Sequence, residues 1–545
     1  MKDWFNKGEH WIWMSSSMVS ISVVLVMGLI GMIAYKGALH FWPHAVYEYQ
    51  VQHNGQIETV IGELRDYKTR DITDSQTGKE RELTQYLIKI GNRDVYGIDF
   101  RWINDSDFTS GMDTLSKNAI VIERYEYGNV YGHLVSANIG GQKIVDSDVL
   151  LDEFKKQVEQ SSETRDKIRS IEKYDIGAIN YAIEQLRFEE KKLRLKDAFT
   201  PEEAKRIEAE RAKLQARFHE YQDQTAILYK QLNASGDVTV EIAGGKTLTI
   251  PIKKVVDFWL PNNMNLMEKL GFFGHTLGNF LLDDPREANT EGGIFPAMIG
   301  TITMVLLMTI LVTPMGVIAA IYMREYAKDG PLLRMVRISI NNLAGVPSIV
   351  FGIFGLGFFV YILGGSIDEL FYGYALPSPT FGTPGLLWAA LTMALLTLPV
   401  VIVSTEEGLS RIPRSLREGG LALGATKSET IMKIVLPMAT PAIMTGLILA
   451  IARAAGEVAP LMLVGVVKLA PELPVDSITP FVHLDRKFMH LGFHIYDVGF
   501  QSPNVEASQP LVYATSLLLV VIIVGLNLGA ITIRNRLREK YKALD

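Results

Sequence analysis

Six runs of apolar residues, each long enough to cross a bilayer, restrict most strongly what this chain can become. A helix needs about 20 mostly apolar residues to span a hydrocarbon core roughly 30 Å thick. Residues 14–34, 294–322, 343–364, 386–403, 442–466 and 511–533 meet that requirement. The first carries no charge, the second contains Pro314 and Gly316, and the fifth contains two charges, Arg453 and Glu457.

Charge is divided along the chain in the same sense. The average over 545 residues is 48% apolar and 21% charged, with a net charge of −6. Residues 1–293 hold 36 Lys/Arg and 44 Asp/Glu, or 80 of 293 positions, whereas residues 294–545 hold 18 and 16, or 34 of 252. The first share matches the roughly 25% of a soluble globular protein and the second is about half of it. The organisation expected is a cytoplasmic N-terminus and first span at 1–35, an external α+β domain at 36–290, a helical membrane domain at 291–534 and a cytoplasmic tail at 535–545. The net acidity gives nucleic acid no electrostatic footing as a partner. The chain has no cysteine, which excludes disulfides, thiolate metal sites and cysteine nucleophiles.

Lys and Arg in the short loops set the orientation. Residues 323–340 carry Arg324, Lys328, Arg334 and Arg337, and residues 365–385 carry none. Residues 404–440 carry Arg411, Arg414, Arg417, Lys427 and Lys433, residues 467–510 carry three over a longer stretch, and five follow residue 533. Rich and poor loops alternate, which predicts both termini in the cytoplasm and residues 36–290 outside. Long translocated domains are exempt from the rule, so the basic residues of the external segment do not oppose it. The first run exceeds the 7–15 residues or so of a signal-peptide core, and no small-x-small site follows it, so an uncleaved anchor is expected.

In the external segment, short alternating runs at 59–64, 86–90 and 119–125 are separated by Gly, Asn and Asp, the pattern of strands and turns. Residues 238–255 continue the pattern, with a turn at Gly244 and Gly245. Between them, Ile176, Ile179, Ile183, Leu186 and Leu193 follow helical 3-4 spacing, as do Ile207, Leu214, Phe218, Tyr221, Leu228 and Leu232. Thr200 followed by Pro201 is a helix start, with the threonine as N-cap. An antiparallel helical hairpin over about 150–233 is predicted, serving as a stalk or as a docking arm for another protein.

Gly245-Lys246-Thr247 looks like the end of a phosphate-binding loop, but the glycine required five positions upstream is Val240. No zinc-protease histidine pattern and no nucleophile-elbow serine occurs. His40 and His44 flank Trp42 and suit a membrane interface better than a metal. No cofactor is expected in this chain; any ATP and Mg would be bound by partner subunits.

The segment 404–440 is the informative one. Leu409, Ile412, Leu416 and Leu423 can share one helical stripe, and Gly419, Gly420 and Gly424 remove bulk beside it. A short helix of this kind can lie in a groove of another protein and transmit a push. Glu418, Gly424, Ile434, Leu436 and Pro437 stand at the spacing of the EAA loop, so the chain resembles the ABC-importer permeases. Gly419 and Gly420 stand where two alanines are usual. The strings Leu343-Ala344-Gly345-Val346-Pro347-Ser348-Ile349-Val350 and Ala452-Arg453-Ala454-Ala455-Gly456-Glu457-Val458-Ala459-Pro460-Leu461 narrow the resemblance to the A-type permeases of phosphate-specific importers, over about 291–541.

The resemblance implies the six-helix, MetI-like fold of binding-protein-dependent importer permeases and a non-catalytic role in moving inorganic phosphate. It implies a homologous C-type permease subunit, an ABC ATPase dimer and a periplasmic phosphate-binding protein as partners, among membrane lipids. Carried onto this chain, the ATPase-coupling residues are Arg417, Glu418, Gly419, Gly420, Gly424, Ala425, Ile434, Leu436 and Pro437. The external segment lies outside the family pattern, and no role is carried over to it.

Arg453 and Glu457 are expected in the middle of the fifth span, where a charge costs about 2.5–3.5 kcal/mol on insertion scales. They are one helical turn apart and can neutralise each other, although Arg before Glu is the weaker order. A structural salt bridge and an anion pathway both fit. In the second, Arg453 offers its planar donors to phosphate oxygens, and Glu457 holds the guanidinium when no anion is present or repels an anion so that it does not stick. An importer for another oxyanion, such as molybdate or sulfate, and a membrane-anchored interaction or sensor protein are the competing readings. The second has no need of the 404–440 pattern.

Overall fold

A computed structural model describes residues 9–53, 55–73, 80–109, 114–502 and 505–542. The first eight residues of the expected N-terminal segment and the last three of the tail lie outside the described residues. The chain forms two compact units, one of Met1–His40 with Phe280–Asp545 and one of Phe41–Asn279.

Among the described residues, six helices are long and apolar enough to cross a membrane: His10–Phe41, Phe295–Tyr326, Ser348–Phe371, Leu386–Ser410, Lys427–Gly456 and Ser508–Glu539. Two expected boundaries are corrected. The third span does not begin at residue 343. Pro331–Leu343 is a separate amphipathic helix, and the span starts at Ser348 behind Pro347. A proline bars the residue before it from the helical region, so the apolar run through Val346 cannot continue into the span.

The fifth span does not run from 442 to 466. Its helix starts at Lys427 and ends at Gly456, with Glu457 extended at φ −87° and ψ 130°. Glycine at the end and Pro460 shortly after are stop signals. The apolar residues that follow turn back into the bundle, where the Gly385 N–H donates to the Val464 carbonyl at 2.9 Å.

The fourth span is the centre of the first unit and packs on the second and fifth, with the fifth packed on the sixth. Met304, Met308 and Val312 meet Ala390, Met393 and Ala394 in a core that continues through Ala450 and Ala454. A Cβ at Gly408 would stand 2.4 Å from the Cβ of Ala442, so glycine is what lets the fourth and fifth spans approach there. Small residues serve this purpose between membrane helices, where lipid supplies no hydrophobic drive. The first span is exposed along most of its length and meets the sixth near its end, where Lys36 lies 5.1 Å over the Tyr513 ring.

The described residues of the second unit form two antiparallel sheets. One has the order β1 (Val46–His53), β2 (Gln56–Thr73), β3 (Glu80–Lys89) and β4 (Phe100–Asn104). The other runs β10 (Val255–Trp259), β5 (Ile120–Arg124), β6 (Val130–Ile139), β8 (Asp237–Ile242) and β9 (Lys246–Pro251), with β7 (Gln142–Ile144) on β6. Gly244 and Gly245 sit at φ 79° and 73° in the β8–β9 turn, so the lysine-threonine after them opens a strand rather than a nucleotide loop. The helical hairpin is present. Its first arm runs through Ser147–Ser170, a wide turn at Ile171–Ile176 and Gly177–Leu195; its second is Pro201–Asn233. Thr200 Oγ1 accepts the Glu203 N–H at 3.3 Å, and Ile179, Leu186, Ile207 and Leu232 are buried.

Candidate functional site

The loop after the fourth span builds a small, closely braced element. The fourth span stops at Ser410, and Pro413 leads into a nine-residue helix, Arg414–Ala422. The far end of this helix is closed by two backbone bonds. The Gly424 N–H donates to the Leu421 carbonyl at 2.9 Å and the Ala425 N–H to the Gly420 carbonyl at 3.2 Å. This is a Schellman closure, which requires a left-handed residue, and Gly424 supplies it at φ 85°. A capping box follows at once. The Glu429 N–H donates to Thr426 Oγ1 at 3.2 Å, and the Thr426 N–H to Glu429 Oε2 at 3.0 Å, starting the helix of the fifth span.

Arg417 points back into the protein. It donates to Glu325 from Nε and Nη2, and to the carbonyls of Ile412 and Leu409. Lys427 reaches the Glu325 carbonyl and lies 4.8 Å over the Tyr326 ring. Gly420 also faces inward, since a Cβ there would stand 3.0 Å from Thr430 and 3.2 Å from Ile434. Ile434, Leu436 and Pro437 are half-buried at the foot of the fifth span.

The outward side carries Glu418, exposed, and Gly419, whose missing Cβ would meet nothing within 4 Å. The expected stripe of Leu409, Ile412, Leu416 and Leu423 is corrected. The chain breaks at Pro413, so Leu409 is 0% exposed and Ile412 is buried beneath the spans, whereas Leu423 is 91% exposed. The apolar face left to solvent consists of Leu416, Leu421 and Leu423. Sequence reasoning missed Leu421 and Glu325. A lone glutamate within the basic loop at 323–340 was the available signal for the latter.

Arg453 and Glu457 are brought together, but not in mid-helix as expected. Arg453 occupies the last turn of the fifth helix, and Glu457 is the first residue beyond it. Arg453 Nε stands 3.7 Å from Glu457 Oε1, with the side chains 33% and 28% exposed. That separation is an ion contact longer than the 2.7–3.2 Å or so of an N–H···O bond. A cation in the last turn is favoured by the partial negative charge of a helix C-terminus. The guanidinium is therefore tolerated here without a tight partner, and its buried Nε has no hydrogen-bond acceptor among the described residues. Among the described residues no group of three or more His, Asp or Glu is placed to hold a metal.

The family described as "binding-protein-dependent transport system inner membrane component" matches residues 312–540. The chain is 35% identical over 275 residues to the phosphate transport system permease protein PstA of Mycobacterium leprae, covering 50% of this chain and 80% of that one. It is 31% identical over 247 residues to the probable ABC transporter permease protein YqgI of Bacillus subtilis, covering 44% and 77%. With the probable PstA of Methanocaldococcus jannaschii it shares 29% over 255 residues, covering 46% and 79%. Among solved structures, an inward-facing MetNI methionine ABC transporter aligns with 45% of this chain and 94% of its own, at 19% identity and a TM-score of 0.32.

Proposed function

The chain belongs to the PstA family of phosphate transport system permease proteins, and on that premise we infer that it is a membrane subunit through which an ATP-driven importer moves inorganic phosphate across the inner membrane. The observation that carries the mechanism is the helix Arg414–Ala422, closed at Gly424 and presenting Leu416, Leu421 and Leu423 outward. Such a face suits a groove on a cytoplasmic ATPase. Two ATPase subunits bind ATP and Mg and hydrolyse it; this chain performs no covalent chemistry.

Closure of the ATPases pushes on the short helix. Arg417 ties that helix to Glu325 at the end of the second span, and Gly420 seats it on Thr430 and Ile434 at the foot of the fifth. The push therefore reaches two spans as rigid-body motion, which is how packed elements switch between discrete arrangements. A homologous C-type permease completes the pathway, and a periplasmic phosphate-binding protein delivers the anion. Arg453 donates to phosphate oxygens in transit, and Glu457 takes the guanidinium when the anion has left. Alternation of basic and non-basic loops supports cytoplasmic termini and an external second unit.

The test is reconstitution with the partner permease, the ATPases and the binding protein. ATP hydrolysis should be stimulated by phosphate-loaded binding protein and accompanied by phosphate uptake. Leu423→Asp should abolish ATPase capture while the chain still folds. Full uptake by that variant would overturn the coupling assignment.

A further inference from the structure

A cavity of about 520 Å³ opens among the ends of the fourth, fifth and sixth spans, beside the loop that leads into the Arg414–Ala422 helix. Three guanidinium groups line it, Arg411 from that loop and Arg534 and Arg538 from the sixth span, and among the described residues no carboxylate does. Its remaining walls are mostly apolar, with Met438, Pro441 and Ala442 among them.

The charges there are poorly compensated. Arg411 stands 3.9 Å from Glu407, and both are exposed, so that contact is weak. Among the described residues, the Arg534 side chain makes only a long 3.5 Å hydrogen bond, to Asn535. Arg534 and Arg538 are four residues apart on one helix, a placement that is destabilising for like charges. A third guanidinium across the cavity adds to the repulsion, and a bound anion would relieve it. Paired guanidinium donors match phosphate oxygens in geometry as well as in charge.

We propose that this cavity is a second anion site, which takes a phosphate-bearing group and is distinct from the Arg453 pathway. The site rests on the cytoplasmic orientation of these span ends argued above. Basic pockets between membrane helices on that side hold phospholipid head groups, and the apolar floor suits the start of an acyl chain. Inorganic phosphate released on that side carries the same chemistry. An occupant held by Arg411 and Arg534 together links the coupling loop to the sixth span, and so restrains the movement the ATPases impose.

The test uses the assembled importer with wild-type chain and with the double variant R534Q/R538Q, followed by native mass spectrometry during titration with phosphatidylglycerol and, separately, with inorganic phosphate. An arginine near an anionic head group is worth about fivefold in binding, so the double variant should bind roughly thirtyfold more weakly. Arginine-dependent retention of phosphatidylglycerol that phosphate does not displace assigns the site to lipid. Arginine-dependent phosphate binding without lipid retention assigns it to the free anion. Equal binding of both ligands by wild type and variant overturns the proposal. Phosphate uptake by the wild-type importer in phosphatidylcholine alone tests the permease reading separately. Failed uptake with intact arginine-dependent binding sinks that reading and leaves the site standing.

Discussion

Arg417 and Glu325, 92 positions apart in sequence, meet with Nη2 at 2.7 Å and Nε at 3.1 Å from one carboxylate oxygen. The same guanidinium closes the carbonyl of Leu409 at 2.8 Å and that of Ile412 at 2.7 Å. One side chain thus joins the end of the second span, the end of the fourth and the helix between the fourth and fifth. Arginine is suited to this, because its fixed fork of donors serves several acceptors at once.

Arg417→Met should therefore detach the short helix from the bundle. It leaves the largely buried Glu325 carboxylate and two carbonyls without donors, a loss of up to about 3 kcal/mol. Phosphate uptake should fall by about tenfold or more at unchanged membrane protein level, with Arg417→Lys intermediate because an ammonium cannot span all three acceptors. Uptake at the wild-type rate in Arg417→Met would show that the brace has no part in coupling.

The adjacent glycines should respond in opposite directions. Gly419→Ala adds a methyl group to open space in a helix, where alanine is better than glycine by up to about 1 kcal/mol. Gly420→Ala requires Thr430 to give way by a few tenths of an ångström. Gly424→Ala has room but must adopt a left-handed conformation, at a cost of about 1–2 kcal/mol. Melting temperatures of the purified chain should rank Gly419→Ala at or above wild type and the other two below. An inverted order would contradict the closure geometry.

These residues also mark where sequence reading reaches its end. The spans were legible because apolar runs and bilayer thickness impose a length, and Thr200-Pro201 because a cap is a local interaction. The ends of the third and fifth spans were not, because counting apolar residues overlooks a stop signal inside an apolar run, here Pro347 and Gly456. The apolar stripe of Leu409, Ile412, Leu416 and Leu423 escapes the same count, since Pro413 splits it between core and surface. Arg417 with Glu325 lay out of reach because no local pattern pairs residues that only the packing of the spans brings together.

In the external unit, Arg124 is almost wholly buried and grips Asp94 with two bonds of 2.9 and 3.0 Å, while also donating to the carbonyls of Tyr127 and Gly128. Burial pushes the Asp94 carboxyl up, but the hydrogen bonds and charge of Arg124 outweigh it and hold the carboxyl below its ordinary value. A depressed carboxylate adds stability that is present above its unfolded value, about pH 3.9, and is lost as the pH falls through the folded value. Acid titration of the full chain, followed by tryptophan fluorescence, to which Trp42, Trp102 and Trp259 of this unit contribute, should be flat from neutral pH to about 5 and fall below 4. Arg124→Met should destabilise the unit at neutral pH by about 3 kcal/mol and make the acid limb shallower. An unchanged acid limb in that variant would exclude the pair as its source.

The absence of cysteine makes orientation directly measurable by single substitutions. Leu423→Cys is exposed just beyond the Arg414–Ala422 helix, and Ser378→Cys is exposed between the third and fourth spans. A membrane-impermeant maleimide should label Ser378→Cys from outside and leave Leu423→Cys unlabelled. In inverted vesicles Leu423→Cys should react, and bound ATPase should protect it. The reverse pattern would overturn the orientation.

Arg453 tests the transport path itself. Its guanidinium ends a helix, is about one-third exposed and is held by Glu457 only at 3.7 Å, so an anion can compete for it. Arg453→Gln keeps a polar, hydrogen-bonding side chain, two atoms shorter, but removes the charge. It should abolish phosphate uptake while the importer still assembles and its ATPase subunits still bind the coupling helix. Glu457→Gln should have a different signature. A guanidinium without its counter-charge should hold phosphate longer, lowering the apparent KM together with the maximal rate. If Arg453→Gln transports at the wild-type rate and level, the pair is a structural cap on the fifth helix and the anion passes elsewhere.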